Sequence, residues 1–150
     1  MPIVIKILRN TDRGLLDNVA PDLFDRGIDV RRCSEFLADP RHHIAVAIDD
    51  RTVVGFASAV HYVHPDKPPE LWINEVSVAP AHRSQGIGKQ LLRVLLDLAR
   101  SLGCVQAWVL TDRDNLPAMK LYASAGGVEF PRDQVMFEFD LARNFGIGDE

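Results

Sequence analysis

A glycine-rich segment between a predicted strand and a predicted helix is the part of the sequence best suited to bind an anion. It runs from Arg83 to Lys89, has glycines at 86 and 88, and follows an apolar run that ends at Val78. The first turn of a helix presents backbone N–H groups without helical acceptors, and the helix dipole adds positive charge there. The glycines leave room for a phosphate, although they would equally permit a tight turn and close packing.

Two common phosphate-binding motifs do not fit this segment. A Walker loop requires the pattern GxxxxGK[ST], which the segment lacks, and the dinucleotide motif requires a third glycine where this chain has Leu91. The loop from Val78 to Gly86 is also longer than the tight strand-to-helix turn of a Rossmann unit. The segment is therefore neither a Walker loop nor a dinucleotide-binding turn.

A second motif follows at a fixed distance along the chain. Asn115-x-x-Ala118-x-x-x-Tyr122 begins 27 residues after Gly88. Together with the earlier pattern Arg83-x-x-Gly86-x-Gly88, it resembles the two signatures of the GNAT superfamily of N-acetyltransferases. The resemblance extends from the first predicted strand to about Leu141.

The resemblance implies direct acetyl transfer from acetyl-coenzyme A to an amine through a tetrahedral intermediate, without a metal. Backbone groups of Val76, Ser77 and Val78 would pair with the pantetheine arm, and the Val78 N–H would stabilise the developing oxyanion. Asn115, Ala118 and Tyr122 would border the other side of the coenzyme. The backbone N–H groups implied for the pyrophosphate are those of Arg83, Ser84, Gln85, Gly86, Ile87, Gly88 and Lys89.

The same resemblance implies two proton-transfer residues. Tyr122 matches the family's general acid, although it could also be a buried aromatic on a helix. The acceptor amine, with a Lys-like pKa of about 10.4, must lose a proton before it attacks. Glu75 is the candidate base, because a carboxylate within an apolar strand is costly unless it serves a purpose. It could instead be a solvated carboxylate at a strand edge, and His61, His64 and His82 are weaker alternatives.

The acceptor is less constrained than the coenzyme. Residues 65–76 are similar to the aminoglycoside 3-N-acetyltransferases of type I, which implies a small-molecule primary amine and a role in antibiotic resistance. Acceptors that are polyamines, amino acids or protein N-termini remain open. A different class also remains open, namely a non-catalytic coenzyme-binding regulatory module, which could dispense with Tyr122 and Glu75.

These residues must be positioned by a mixed α/β fold. We predict the GNAT fold, with a twisted, mostly antiparallel sheet of about six to seven strands, splayed where the coenzyme binds and flanked by about four helices. Apolar periodicity predicts strands at residues 3–8, 44–48, 53–62, 71–78, 105–110 and 135–141, and helices around 15–23, 30–37, 87–102 and 116–125.

Length and composition place this fold in one soluble domain spanning residues 1–150. Seventeen basic and 21 acidic residues give a net charge of −4, opposite in sign to that expected of a nucleic-acid binder. The charge is uneven, since residues 80–100 are net basic and residues 129–150 are net acidic. Two separated cysteines indicate neither a disulfide framework nor a zinc site.

No segment has the length and hydropathy of a signal peptide or membrane span, so we expect a cytoplasmic protein without a membrane partner. Phe130, Phe137 and Phe139 fit either the core or the seam of a homodimer.

Overall fold

The backbone forms five strands and three α-helices in the computed structural model, which describes residues 2–130 and 133–142. The strands are β1 Val4–Ile7, β2 His42–Asp49, β3 Thr52–Tyr62, β4 Glu70–Val78 and β5 Ala107–Val109. The α-helices are α1 Val30–Ala38, α2 Ile87–Ser101 and α3 Leu116–Ser124, and 3-10 helices cover Asn10–Asp17 and Pro80–His82.

The strands form one sheet in sequence order, β1-β2-β3-β4-β5. The first four pair antiparallel, and β5 joins β4 in parallel. The β2–β3 hairpin turns through Asp50 and Arg51, whose φ angles of 45° and 70° are those of a tight two-residue turn. The predicted mixed α/β class, with one mostly antiparallel sheet, is confirmed.

The two faces of the sheet are covered by different elements. At Gly55 of β3 an added Cβ would lie 3.3 Å from both Ile87 and Leu91, so α2 packs closely on that face. The next residue, Phe56, points the opposite way and stacks on Phe24 with ring centroids 4.0 Å apart. The chain between the first 3-10 helix and α1 therefore lies on the other face.

Helix α2 supplies much of the core, as its apolar stripe predicts. Its side chains Leu91, Leu92 and Leu95 are almost fully buried. Gly103, with φ of 87°, follows the helix end in the left-handed conformation that stops a helix. No helix in the described part of the chain has the length and hydropathy needed to cross a membrane.

The prediction of a helix over residues 15–23 is wrong in type and extent. The structure has a 3-10 helix that ends at Asp17, after which Val19 forms a parallel bridge with Val53. Val53 N donates to Asn18 O and Ala20 N donates to Val53 O, at 2.9 and 2.8 Å. These bonds to β3 engage the backbone groups that continuing the helix would need.

The predicted strand over residues 135–141 is also absent, so the described residues hold five strands rather than six or seven. Val135, Phe137 and Phe139 are 80%, 80% and 76% exposed, which rules out a place in the core. Phe130 stacks on Trp108 at 4.9 Å and remains 46% exposed. Alternating hydrophobicity predicts a half-buried strand, but a strand forms only where a neighbouring edge pairs with it.

A buried histidine pair lies where β2 begins and β3 ends. His43 is 9% exposed, and its Nε2 lies 2.7 Å from Nδ1 of His61, so one ring donates to the other. Burial, with smaller contributions from the nearby His61 and His42 and against an opposing effect of Asp39, lowers the pKa of His43 to about 4. His43 is therefore neutral in the folded protein at neutral pH.

Acid should destabilise the fold through His43. Because its pKa falls from 6.5 in the unfolded chain to about 4 in the fold, the unfolded state binds more protons between these values. Stability should thus decrease by about 2 kcal/mol as the pH falls from 7 to 5. Urea unfolding at several pH values measures this, and His43→Gln should flatten the dependence. The same pH dependence of unfolding free energy in the wild-type protein and in His43→Gln would show that His43 does not cause the effect.

Candidate active site

A stretch of strand edge that no other strand among residues 2–130 and 133–142 pairs with is the central feature of the candidate site. β4 pairs with β3 along its length, but β5 pairs with it only at residues 71–73. Ala79 N donates to Val54 O at 2.8 Å, so alternation along the strand turns the N–H groups of Val76 and Val78 away from β3. Both groups face the edge that β5 leaves open, as predicted for a splayed sheet.

Ser77 does not share this orientation. The same alternation points its backbone N–H toward β3, and its hydroxyl donates to Leu23 O at 2.9 Å. Of the three backbone positions predicted to bind coenzyme, the structure therefore places Val76 and Val78 at the open edge and uses Ser77 to hold another segment.

The glycine-rich segment begins beside this edge. Nε of Arg83 donates to Val78 O at 3.0 Å, which ties the segment to the end of β4. His82 lies 2.8 Å from Asp49 through Nε2 and Oδ2, and so attaches the preceding turn to the β2–β3 hairpin. His82 thus has a carboxylate partner in the fold, and its ranking below Glu75 as a base stays a prediction.

The segment from Arg83 to Lys89 has a geometry suited to binding an anion, and we call it the anion cradle. Ser84 and Gly86 have φ of 63° and 78°, and residues 83–86 are exposed. The first helical bond runs from Gln90 N to Gly86 O, so residues 87–89 offer N–H groups that precede the helical ladder. Ile87 is 3% exposed and fixes the start of α2 in the core. A polyanionic group fits the donors and the positive helix end here.

The basic charge of residues 80–100 does not all converge on the cradle. Arg100 forms an ion pair with Asp97 at 2.9 Å near the far end of α2, about 20 Å from the helix start. Arg93 and Arg100 line a groove of about 420 Å³ between α2 and the end of α3. Arg83 lies in the cradle segment itself, and Lys89, in the first turn of α2, also lines this groove.

Helix α3 brings Tyr122 toward the start of α2. A Cβ at position 88 would lie 3.1 Å from Leu121, so Gly88 permits the close approach of the two helices. Tyr122 is half-buried, and this burial raises the pKa of its phenol. Its backbone carbonyl accepts from Gly127 N at 2.9 Å, which closes the helix end.

The Asn115 and Ala118 spacing has a local cause. Asn115 Oδ1 accepts from Ala118 N at 3.2 Å, which makes Asn115 the N-cap of α3. The motif therefore defines where α3 starts and consequently where Tyr122 lies on it.

Glu75 lies on the sheet face opposite α2. The β3–β4 register shifts between Ser58 and Ala59, so that Ser58 faces Glu75 while Ala59 faces Ile73. Asn74 is the extra residue of this bulge. Loss of surrounding water raises the pKa of Glu75, and the negative charge of Asp25 raises it further.

Asp25 is a residue that sequence reasoning missed. The Ser77 hydroxyl holds Leu23, and Phe24 stacks on Phe56, so the next residue is brought to the face that carries Glu75. Nothing in the local sequence indicates this contact, because the two acids are separated by 49 intervening positions.

The other candidate bases lie elsewhere. His61 pairs with His43, and His64 Nε2 lies 3.7 Å from Glu70. Both are at the opposite end of β4 from Val78, because Leu71 faces His61 and Gly55 faces Val78. Among the described residues no group of three or more His, Cys, Asp and Glu side chains is arranged to hold a metal ion.

Comparison with known proteins matches most of the described chain to one family. The model of the acetyltransferase (GNAT) family matches residues 13–126. The N-alpha-acetyltransferase RimI of Mycobacterium tuberculosis is 40% identical over 60% of this chain and 54% of its own length. The streptothricin acetyltransferase of Streptomyces lavendulae is 32% identical over 67% of this chain and 51% of its own length. The chain thus spans about half the length of these two relatives.

Solved structures share the fold. An aminoglycoside acetyltransferase from an uncultured soil metagenomic sample, in complex with trehalose, superposes with a TM-score of 0.81 and 20% identity, covering 93% of this chain and 96% of that one. The aminoglycoside N-acetyltransferase AAC(6')-Iy in complex with CoA has a TM-score of 0.71 and 24% identity, covering 93% and 95%.

Neutralising Asp25 should lower the pKa of Glu75. Asp25→Asn removes one of the two causes that raise it, so the Glu75 carboxyl should ionise at lower pH. Carbon-13 NMR titration of the glutamate carboxyls measures this directly. Asp17→Asn, which removes another exposed acid of the N-terminal region, is the matched control and should leave the Glu75 titration unchanged. An unaltered Glu75 pKa in Asp25→Asn would exclude the contact.

Proposed function

The chain belongs to the GNAT family of acetyltransferases, and we propose that it transfers the acetyl group of acetyl-coenzyme A to a primary amine. The observation that carries the proposal is the open β4 edge beside the anion cradle. The open edge presents the backbone N–H groups of Val76 and Val78 to a ligand. The cradle offers further N–H donors and Lys89 at the start of α2. A ligand with an extended amide arm and a pyrophosphate matches both.

The residues at this edge would hold the coenzyme along its length. Acetyl-coenzyme A supplies an acetyl group already activated as a thioester. Val76 would pair with its amide arm, and the Val78 N–H would donate to the thioester oxygen, where negative charge develops. The cradle of residues 83–89 would bind the pyrophosphate through backbone N–H groups.

Two side chains would move the protons. Glu75 would accept a proton from the acceptor ammonium, directly or through water, and its raised pKa brings it closer to the range in which a base works well. Tyr122 would donate its phenol proton to the departing thiolate. Burial favours the neutral phenol, so Tyr122 holds this proton at neutral pH.

A small polycationic amine, such as an aminoglycoside, is the proposed acceptor. The net charge of −4 and the paired acids Asp25 and Glu75 would attract a cation. Similarity to streptothricin acetyltransferase supports a small-molecule acceptor. A protein N-terminal amine is the second candidate, favoured by the 40% identity to RimI.

Thiol release from acetyl-coenzyme A tests the activity. The protein is assayed with gentamicin, a streptothricin, putrescine and a short peptide with a free N-terminus. We expect release that depends on an amine and a mass increase of one acetyl group on that amine. Tight coenzyme binding without release for any amine would support a non-catalytic coenzyme-binding module instead.

Removing the Tyr122 hydroxyl should slow turnover and spare coenzyme binding. Tyr122→Phe removes a general acid, so kcat should fall by about 10²-fold while the Kd for coenzyme A stays nearly unchanged. The chain has two tyrosines, and Tyr62→Phe is the matched control because its hydroxyl binds Glu70 at the other end of β4. Unchanged turnover in Tyr122→Phe would remove this residue from the mechanism.

A further inference from the structure

Trp72 lies on the same sheet face as Glu75. In β4, Leu71 and Ile73 are 0% and 4% exposed and point into the core, so Trp72 between them points to the other face. Trp72 pairs with Val60, and Glu75 pairs with Ser58. Since paired residues share a face and β3 is regular between Ser58 and Val60, Trp72 and Glu75 are about 7 Å apart along the strand.

The indole ring of Trp72 differs from that of its neighbour Trp108 in its contacts. Trp108 of β5 lies directly beside it, but that ring is stacked by Phe130 and its Nε1 donates to Glu70 at 3.2 Å. Within residues 2–130 and 133–142, Trp72 has neither a ring partner nor a hydrogen bond to its indole N–H, and it lies outside the core and the half-buried residues packed on it.

A half-buried indole beside carboxylates is a good site for an organic cation. An ammonium over a tryptophan face is attracted by the negative ring quadrupole, and tryptophan is the best of the aromatic residues for this contact. Glu75 and Asp25 add negative charge to the same face, so the local charge and the ring favour the same ligand. A neutral or anionic acceptor would not gain this charge attraction.

We propose that Trp72 is a specificity-determining residue that binds a second ammonium group of the acceptor, while the amine that reacts lies at Glu75, about two residues further along the same strand face. This rests on the proposed acetyltransferase activity and narrows its acceptor to diamines and polyamines. A peptide N-terminus without a nearby second cation would make only the contact at Glu75.

Binding can be tested without turnover. The chain has two tryptophans, so nitrogen-15 spectra contain two indole signals, and Trp72→Phe assigns them. Titration with putrescine should shift the Trp72 indole signal saturably, whereas butylamine, which has one ammonium, should shift it much less at equal concentration. Equal shifts with both amines, or no shift with either, would overturn the proposal.

Kinetics separate this proposal from the activity itself. Trp72→Leu should raise KM for the diamine by about 2- to 30-fold with kcat nearly unchanged, and Trp72→Phe should recover part of that loss. Trp108→Phe is the matched control, because its ring is already covered, and should leave KM unchanged. If the protein acetylates amines and the Trp72 substitutions leave KM for the diamine unchanged, the role of Trp72 is overturned and the proposed function stands. Failure to acetylate any amine would instead refute the proposed function, while the indole titration would still decide whether Trp72 binds a diamine.

Discussion

The incomplete pairing of β4 is the constraint on which the site depends. Strand β4 pairs with β3 along one edge, yet β5 pairs with only three residues of its other edge. Unpaired backbone N–H groups are costly unless water or a ligand meets them. The open edge is therefore where an extended ligand can gain hydrogen bonds that the fold itself does not satisfy. At the end of this edge, Nε of Arg83 donates a hydrogen bond to Val78 O.

Close packing on both sheet faces keeps this edge in place. Gly55 allows α2 to approach β3, and Ile87 anchors the first turn of α2 in the core, so the start of α2 is held against the sheet. On the other face, the Ser77 hydroxyl and the Phe24–Phe56 stack hold the N-terminal segment against the strand. One strand thus carries, at its edge, the backbone groups proposed to bind coenzyme and, on its face, the side chains proposed to bind the acceptor.

Local patterns predicted much of this arrangement. The apolar stripe of α2, the β2–β3 hairpin and the glycine-rich helix start depend on residues close in sequence, and each forms as predicted. Periodicity failed where distant contacts compete with it. Val53 draws residues 18–20 out of a helix through backbone hydrogen bonds, and residues 135–141 have the alternation of a strand but no edge that pairs with them. The side chain of Asn115 caps α3, and its predicted place beside the coenzyme stays a prediction.

By itself, the sequence determined the types of chemistry available. Glycines at 86 and 88 before a helix predict an anion site, and Tyr122 and Glu75 are groups able to move protons. Tertiary structure decided which of them meet. The bulge at Asn74 and the register of β3 place Glu75 and Trp72 on one face, and the Ser77 bond brings Asp25 beside Glu75. The reason is physical: helix starts and turns arise from neighbouring residues, whereas strand register and loop docking depend on contacts between residues far apart in the chain.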